Sequence, residues 1–164
     1  MFKLTFVLMD ESDFKGYWAA RLRYLLAPYN GILAECDCVN DGGEPEPSCR
    51  ECSGNGCHYP KTTIWPEWDH WSIGVEFKGI FKDVETRFRW EDFPYGDEHK
   101  SVYDNCAWVS EIPEDLTPHA IITPDGEWLS PRVMIEDEEQ WPDTAKSILA
   151  QHMDCIVLAC YLHY

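Results

Sequence analysis

The sequence predicts an α+β protein with a mostly antiparallel sheet, two helices and one inserted loop. Apolar, β-branched runs occur near the start of the chain, in its middle and at its end, whereas only two segments show helical periodicity. Five cysteines and a histidine also fall within one stretch rich in turn formers. Strands that do not alternate regularly with helices are typical of the α+β class. We therefore expect residues 1–164 to form one domain, with residues 35–60 as a cysteine-rich insertion.

The first strand and the first helix meet near Asp10, where the periodicity of the sequence changes. Lys3–Met9 is a short apolar run with β-branched and aromatic residues, which suits a buried strand. Asp10–Asp13 then offers helix-capping side chains and acids for a first turn. The helix is expected to end around Pro28 and Asn30. From Phe14 onward its apolar positions recur at helical spacing: Tyr17, Trp18, Leu22, Leu25, Leu26 and Tyr29.

Two antiparallel strands are predicted after the loop. Ile73, Val75 and Phe77 alternate with polar residues, and the run from Val84 to Trp90 alternates in the opposite parity. A change of parity requires a turn or bulge between the two runs. Residues 91–100 are rich in acids with a proline and a glycine, as in a solvated loop, and residues 102–112 resume as a strand of mixed polarity.

The last third of the chain predicts a hairpin, a helix and a strand. Residues 119–122 and 127–129 flank Thr123–Gly126, in which a proline presets the turn and a glycine accepts a positive φ. The second helix is expected from about Glu138 or Pro142 to His152. An apolar strand, Cys155–Tyr164, follows. Cys155 and Cys160 would face opposite sides of that strand, as buried small hydrophobic residues.

The cysteine-rich insertion is the strongest chemical signal in the sequence. Cys36-Asp-Cys38 and Cys49-Arg-Glu-Cys52 are two closely spaced thiolate pairs, and two such pairs can converge on a tetrahedral zinc ion. The segment is too polar to be ordered by burial of apolar surface, so a metal is the simplest source of order. Cys57 or His58 remain alternative ligands, and free thiols or disulfides remain an alternative to a metal site.

The second thiolate pair lies within Cys49-Arg-Glu-Cys52-Ser-Gly-Asn-Gly56, which matches the pattern CxxCxGxG. In these eight residues the chain resembles the zinc-binding region of DnaJ-type co-chaperones. That family has four such repeats around two ions, whereas this chain has one, and the His-Pro-Asp signature of the J domain is missing. The resemblance implies structural zinc and does not imply chaperone activity. Four thiolates would also leave no open position for a catalytic water.

Charge and aromatic content predict the kind of partner. The chain carries 30 acidic and 13 basic residues, a formal charge of −17, which opposes binding to nucleic acid or anionic lipid. A charged partner should therefore be a protein with a basic surface. The expected partner-binding residues are three indoles and an acidic run: Trp65, Trp68, Trp71, Glu136, Asp137, Glu138 and Glu139. Alternatively, the indoles anchor the end of the loop on the sheet and the acids begin a helix.

The hairpin sequence Thr-Pro-Asp-Gly-Glu-Trp128, with the helix and strand after it, resembles small uncharacterised proteins of phages and other mobile elements. This resemblance implies an accessory role, such as inhibition of host defence. We expect a non-enzymatic binding protein that inhibits a host nucleic-acid-handling protein. The alternative is a small hydrolase or nucleotide-processing enzyme using His70 or His119 with nearby acids. The N-terminal apolar run is too short for a secretory signal, and no run suits a bilayer, which favours the host cytoplasm.

Overall fold

The computed structural model of the chain describes residues 1–39, 44–73, 79–85, 102, 104–134 and 138–163. Within these ranges, three short 3₁₀ turns connect the regular elements: Ala27–Tyr29, Val109–Glu111 and Glu138–Gln140. The helices and strands are, in chain order, β1 (Phe2–Met9), α1 (Glu11–Leu26), β2 (Ala34–Glu35), β3 (Cys57–His58), β4 (His70–Ser72), β5 (Cys106–Trp108), β6 (Ala120–Ile122), β7 (Trp128–Leu129), α2 (Pro131–Met134), α3 (Trp141–Ala150) and β8 (Ile156–His163).

The main sheet is built around β1 and β8. These two strands pair antiparallel over their whole length, from Phe2 opposite His163 to Met9 opposite Ile156. On its other side β8 pairs antiparallel with both β4 and β5, while β1 pairs parallel with β6, which forms a hairpin with β7. Within the described residues, one strand pairing is parallel and the others are antiparallel. The predicted α+β class with a mostly antiparallel sheet is therefore confirmed.

Helix α1 covers one face of the sheet. Because side chains alternate along a strand, Leu158 and Cys160 of β8 point to the same face as Val7 of β1. Phe14 and Leu22 of α1 are completely buried against this face. This layer is the larger apolar cluster of the protein, and removal of its surface from water is a main source of stability.

Helix α3 covers the opposite face and makes the protein a three-layer structure. Val157 and Ala159 of β8 lie in this second cluster, together with Trp141 and Ala145 of α3. The indole Nε1 of Trp141 also donates a 2.7 Å hydrogen bond to the carbonyl of Pro118. Cys155 belongs to this cluster and Cys160 to the first, so the predicted parity of the two buried cysteines is correct.

Helix α1 differs from its prediction at Tyr17. The backbone of Tyr17 has φ −141° and ψ 63°, which interrupts the helix near its middle. The side chain is consequently 74% exposed, whereas the sequence pattern placed it on the apolar face. The helix begins at Glu11, within the predicted start at Asp10–Asp13, and gives way to the 3₁₀ turn that contains Pro28.

The middle of the chain forms shorter strands than its sequence suggests. Among the described residues of the strand predicted over 102–112, only β5 is extended, because the backbone turns into a 3₁₀ segment at Val109. Strand β4 lies just before the predicted start at Ile73, because it pairs with the outer end of β8. The two strands predicted from Ile73 to Phe77 and from Val84 to Trp90 fall largely outside the described residues. The hairpin was predicted correctly, and Gly126 in its turn has φ +93°.

Candidate metal centre

A two-stranded ribbon closes the cysteine-rich insertion. Strands β2 and β3 pair antiparallel, with Glu35 opposite Cys57 and Ala34 opposite His58. Just inside this ribbon, the amide of Cys36 donates a 2.9 Å hydrogen bond to the carbonyl of Gly56. The first thiolate pair, Cys36 and Cys38, directly follows β2, and the second pair, Cys49 and Cys52, precedes β3. The ribbon therefore brings the two pairs close together.

The four predicted cysteines converge in space. The sulfurs of Cys36 and Cys49 are 3.7 Å apart, those of Cys38 and Cys52 are 3.5 Å apart, and all four lie within 4.8 Å of one another. Zn–S bonds of about 2.3 Å in a tetrahedron give S–S edges of about 3.8 Å. A disulfide would instead bring two sulfurs to about 2.05 Å. These four cysteines are free thiols in an arrangement that can hold one metal ion.

Glycine conformations allow backbone amides to reach the Cys52 sulfur. The amides of Gly54 and Gly56 both donate to this sulfur, and the two glycines have φ of +80° and +75°. Side chains other than glycine rarely adopt such angles. A Cβ on Gly54 would also lie 3.3 Å from the Cα and the carbonyl oxygen of Pro47. The glycines of the CxxCxGxG pattern thus serve to direct amides at a thiolate.

The electrostatics of the cluster favour a bound cation. Burial alone would raise the pKa of the Cys52 thiol, but the amide of Gly56 and the neighbouring thiols lower it to about 6. The amide of Glu46 lowers the pKa of Cys38, but burial and the other three sulfurs together raise it to about 12. The first thiolate therefore forms readily and opposes ionisation of the next. A divalent ion removes that opposition, because it binds the deprotonated form of each cysteine.

Cys57 and His58, the alternative ligands, lie at the edge of the cluster. Among the described residues, the group of four sulfurs does not include Cys57. His58 forms a different group with Cys36 and Glu51, and its Nδ1 is 2.7 Å from the carbonyl of Tyr59. The four sulfurs that lie together are soft donors, and a set of four thiolates is typical of sites that hold a structural metal ion.

The three indoles of residues 65–71 have different environments. Trp68 is buried, and its Nε1 donates a 3.2 Å hydrogen bond to the carbonyl of Leu26 at the end of α1. Trp71 packs against the α1 side of the core. These two rings anchor the end of the insertion on the sheet, so a partner cannot reach Trp68. Trp65, in contrast, is 58% exposed.

Trp65 forms one wall of a cavity of about 570 Å³. The guanidinium of Arg132 lies 5.7 Å from the centre of its ring and pairs with the carboxylate of Glu67. Because the two charged residues are 65 positions apart, no sequence pattern signals their pairing. We call this space the Trp65 cavity; its lining consists of Tyr29, Trp65, Glu67, Glu127, Trp128, Arg132 and Val133.

The predicted acidic run is described in part. Glu138 and Glu139 are exposed on the 3₁₀ turn before α3, where carboxylates favour the start of the helix. Glu136 and Asp137 lie outside the described residues.

Comparisons with protein-family models, curated proteins and solved structures find no match to this chain. Among the described residues, no helix combines the length and apolarity needed to cross a bilayer.

The two histidines of the enzymatic alternative lie on different parts of the sheet. His70 is in β4 and His119 precedes β6, so β8 and β1 run between them and separate their backbones by about 14 Å. The two histidines therefore belong to separate sites, and the enzymatic alternative, which uses either one with nearby acids, stays a prediction. Asp69, the acid next to His70, bonds instead to Nδ1 of His163 at 2.7 Å. That Asp–His contact was missed from the sequence because the partners are 94 residues apart.

Proposed function

We propose that the protein is a zinc-stabilised, non-enzymatic binding protein whose partner is a protein with a basic surface. The observation that carries this proposal is the exposed Trp65 cavity, an aromatic and acidic recess on a chain of formal charge −17. Aromatic residues at the rim of a recess are typical centres of protein–protein recognition. Long-range attraction by the net charge would speed encounter with a basic surface.

Apolar side chains extend the binding surface around the cavity. Ile64 is 80% exposed, and Val133 on the other wall is 58% exposed. A second recess of about 330 Å³ lies alongside, lined by Ile64, Tyr24 and Pro28, and it shares Tyr29 with the first. Exposed apolar groups concentrated in one region mark an interaction site more often than isolated ones do.

Zinc has a positioning role in this proposal. The segment that carries Trp65 follows the ribbon. Its backbone is held to the 3₁₀ turn after α1 by hydrogen bonds from the amides of Ile64 and Trp65 to the carbonyl of Pro28, at 2.6 Å and 3.0 Å. On its other side, Lys61 pairs at 3.1 Å with Glu51, which lies between two of the metal-binding cysteines. A metal that orders the insertion would therefore restrict the segment presenting Trp65.

Within this proposal, the partner is a host nucleic-acid-handling protein, and the protein is an accessory factor of a phage or mobile element that inhibits it. Two features support this setting: the acidic charge, which complements surfaces that bind phosphate, and the resemblance of the hairpin region to small phage proteins. Direct binding to nucleic acid is disfavoured by the same charge.

The test is binding to a panel of purified nucleic-acid-handling proteins at low and at physiological salt. We expect at least one member to bind, with affinity that falls as salt rises. Trp65→Ala should weaken binding at least tenfold, as at an interface hot spot. Tyr17→Ala removes another exposed ring, on α1, and should leave affinity unchanged. A panel without salt-sensitive binding would contradict the proposal.

A further inference from the structure

We propose that the Trp65 cavity receives an arginine side chain of the partner, and that the carboxylate of Glu127 pairs with the incoming guanidinium. The inference rests on the proposed function, since it names the chemistry by which the basic partner is recognised. It follows from the contacts of Arg132, from the charge balance of the cavity and from its aromatic walls.

Arg132 demonstrates that this cavity accommodates a guanidinium. Its side chain lies over the ring of Trp65 and pairs with Glu67, whose side chain is only 8% exposed. A planar guanidinium combines stacking on an indole with pairing to a carboxylate, which the ammonium of lysine does less well. The walls of the cavity therefore already satisfy the two contacts that arginine prefers.

The remaining charge in the cavity is negative. Arg132 neutralises Glu67, so the three charged lining residues leave one net negative charge, on Glu127. Within the described part of the chain, the Glu127 carboxylate has no ion-pair partner. An entering cation would supply one.

The wall beside Glu127 is aromatic. The rings of Tyr29 and Trp128 lie 5.0 Å apart at 47°, and the hydroxyl of Tyr29 donates to the carbonyl of Gly126 at 2.5 Å. Burial raises the pKa of Tyr29, and the negative charge of Glu127 raises it further, as expected for a carboxylate near that ring. The volume of about 570 Å³ lies within the range of sites that bind small ligands. An additional side chain can thus enter while Arg132 stays in place.

The experiment is an NMR titration of the full chain with N-acetyl-arginine amide, at constant pH and ionic strength. We expect saturable shifts of the Trp65 and Trp128 indole N–H signals. Glu127→Gln should weaken this binding at least tenfold, because a charge-assisted pair is lost. Glu114→Gln removes another exposed carboxylate, which lies outside the cavity, and its affinity should stay within twofold of the parent. Equal weakening by both substitutions would overturn a specific role for Glu127.

Two further probes test the guanidinium itself. N-acetyl-citrulline amide keeps the shape without the charge and should not saturate the site, whereas N-acetyl-lysine amide should bind several-fold more weakly than the arginine probe. Equal binding of the lysine or citrulline probe would overturn the assignment. A chain that binds a basic protein but shows no site-specific shifts with the arginine probe would refute this inference and leave the proposed function standing. Site-specific binding of the arginine probe, with no partner found in the protein panel, would support the Trp65 cavity as an arginine site and contradict the proposed function.

Discussion

At the residue scale, Cys52 shows how a short loop prepares one atom for a metal. Its sulfur is nearly inaccessible, receives two backbone amides and lies near three other sulfurs. The sequence predicted the set of four cysteines from spacing alone. It could not decide between these four and a set that includes Cys57 or His58, because both follow Gly56 within two residues and only the folded chain shows which sulfurs lie together.

Replacement of one cluster cysteine should remove the metal. We expect Cys49→Ser to reduce native-mass-spectrometry stoichiometry from one zinc per chain to none, because a tetrahedral site loses a thiolate. Cys57→Ser is the matched control in the same insertion and should retain one zinc. Retention of zinc by the first variant and loss by the second would contradict the assignment of the ligands.

Gly54 should not tolerate a side chain. Gly54→Ala places a Cβ at φ +80° and 3.3 Å from the backbone of Pro47, at a cost of about 1–2 kcal/mol. The variant should hold zinc more weakly in a competition with a chromophoric chelator. Gly16→Ala is the control, since its Cβ would meet no atom within 4 Å. Equal zinc affinities for the two variants would contradict the role given to Gly54.

His119 should make stability depend on pH. Burial and the positive charge of Lys3 lower its pKa, with Glu138 opposing, so the folded chain takes up this proton less readily than the unfolded chain. Stability should therefore fall as pH drops below about 6.5, the ordinary value for histidine. His119→Gln should flatten the dependence of Tm on pH between 5 and 8, and His70→Gln serves as the comparison. If the Tm of His119→Gln depends on pH as steeply as that of the parent, His119 is not the source of the pH dependence.

At the element scale, prediction succeeded where the local sequence carries a long apolar signal or a distinct turn. β1 and β8 were recognisable as apolar runs because the sheet buries both of their faces, the hairpin by its turn residues, and α3 by apolar residues at helical spacing. β4 and β5 were misjudged because each pairs with only three residues of β8, and the extent of pairing is decided by a strand that is distant in sequence. The break in α1 at Tyr17 leaves no mark in the apolar spacing of the sequence.

The packing of α3 on the sheet should depend on Trp141. Trp141→Ala removes a buried indole and its hydrogen bond to Pro118, and should lower the free energy of unfolding by about 3–5 kcal/mol. Met153→Ala, at a 44% exposed side chain just after α3, should change it by less than about 0.5 kcal/mol. Chemical denaturation measures both. A small loss for Trp141→Ala would mean that α3 contributes little to the core.

At the scale of the whole molecule, the insertion and the three-layer core depend on different stabilising interactions. The core buries apolar side chains on both faces of the sheet, whereas the insertion consists of a two-residue ribbon and a cluster of thiols. The sequence indicated this division through composition. It could not indicate the Trp65 cavity, whose walls come from three separate parts of the chain.

Chelation should therefore loosen one part of the molecule only. After removal of zinc, the amide of Cys36, bonded to Gly56 within the insertion, should exchange with solvent rapidly. Amides in the pairing of β1 with β8 should keep their protection. Hydrogen exchange followed by mass spectrometry measures both segments at once. Loss of protection throughout the sheet would contradict the separate stabilisation of the insertion and the core.

The pairing of β1 with β8 also determines when the newly made chain can complete its sheet. A ribosome adds about 5–20 residues per second, so Phe6 emerges roughly 8–30 s before Ala159, its partner on β8. During that interval an apolar strand has neither of its neighbours in the sheet, because β6 is also made late. Sheet closure must then wait until translation has passed the last strand. Cells producing this protein should accordingly depend on chaperones that shield nascent chains, and faster synthesis should raise its soluble yield less than added chaperone does.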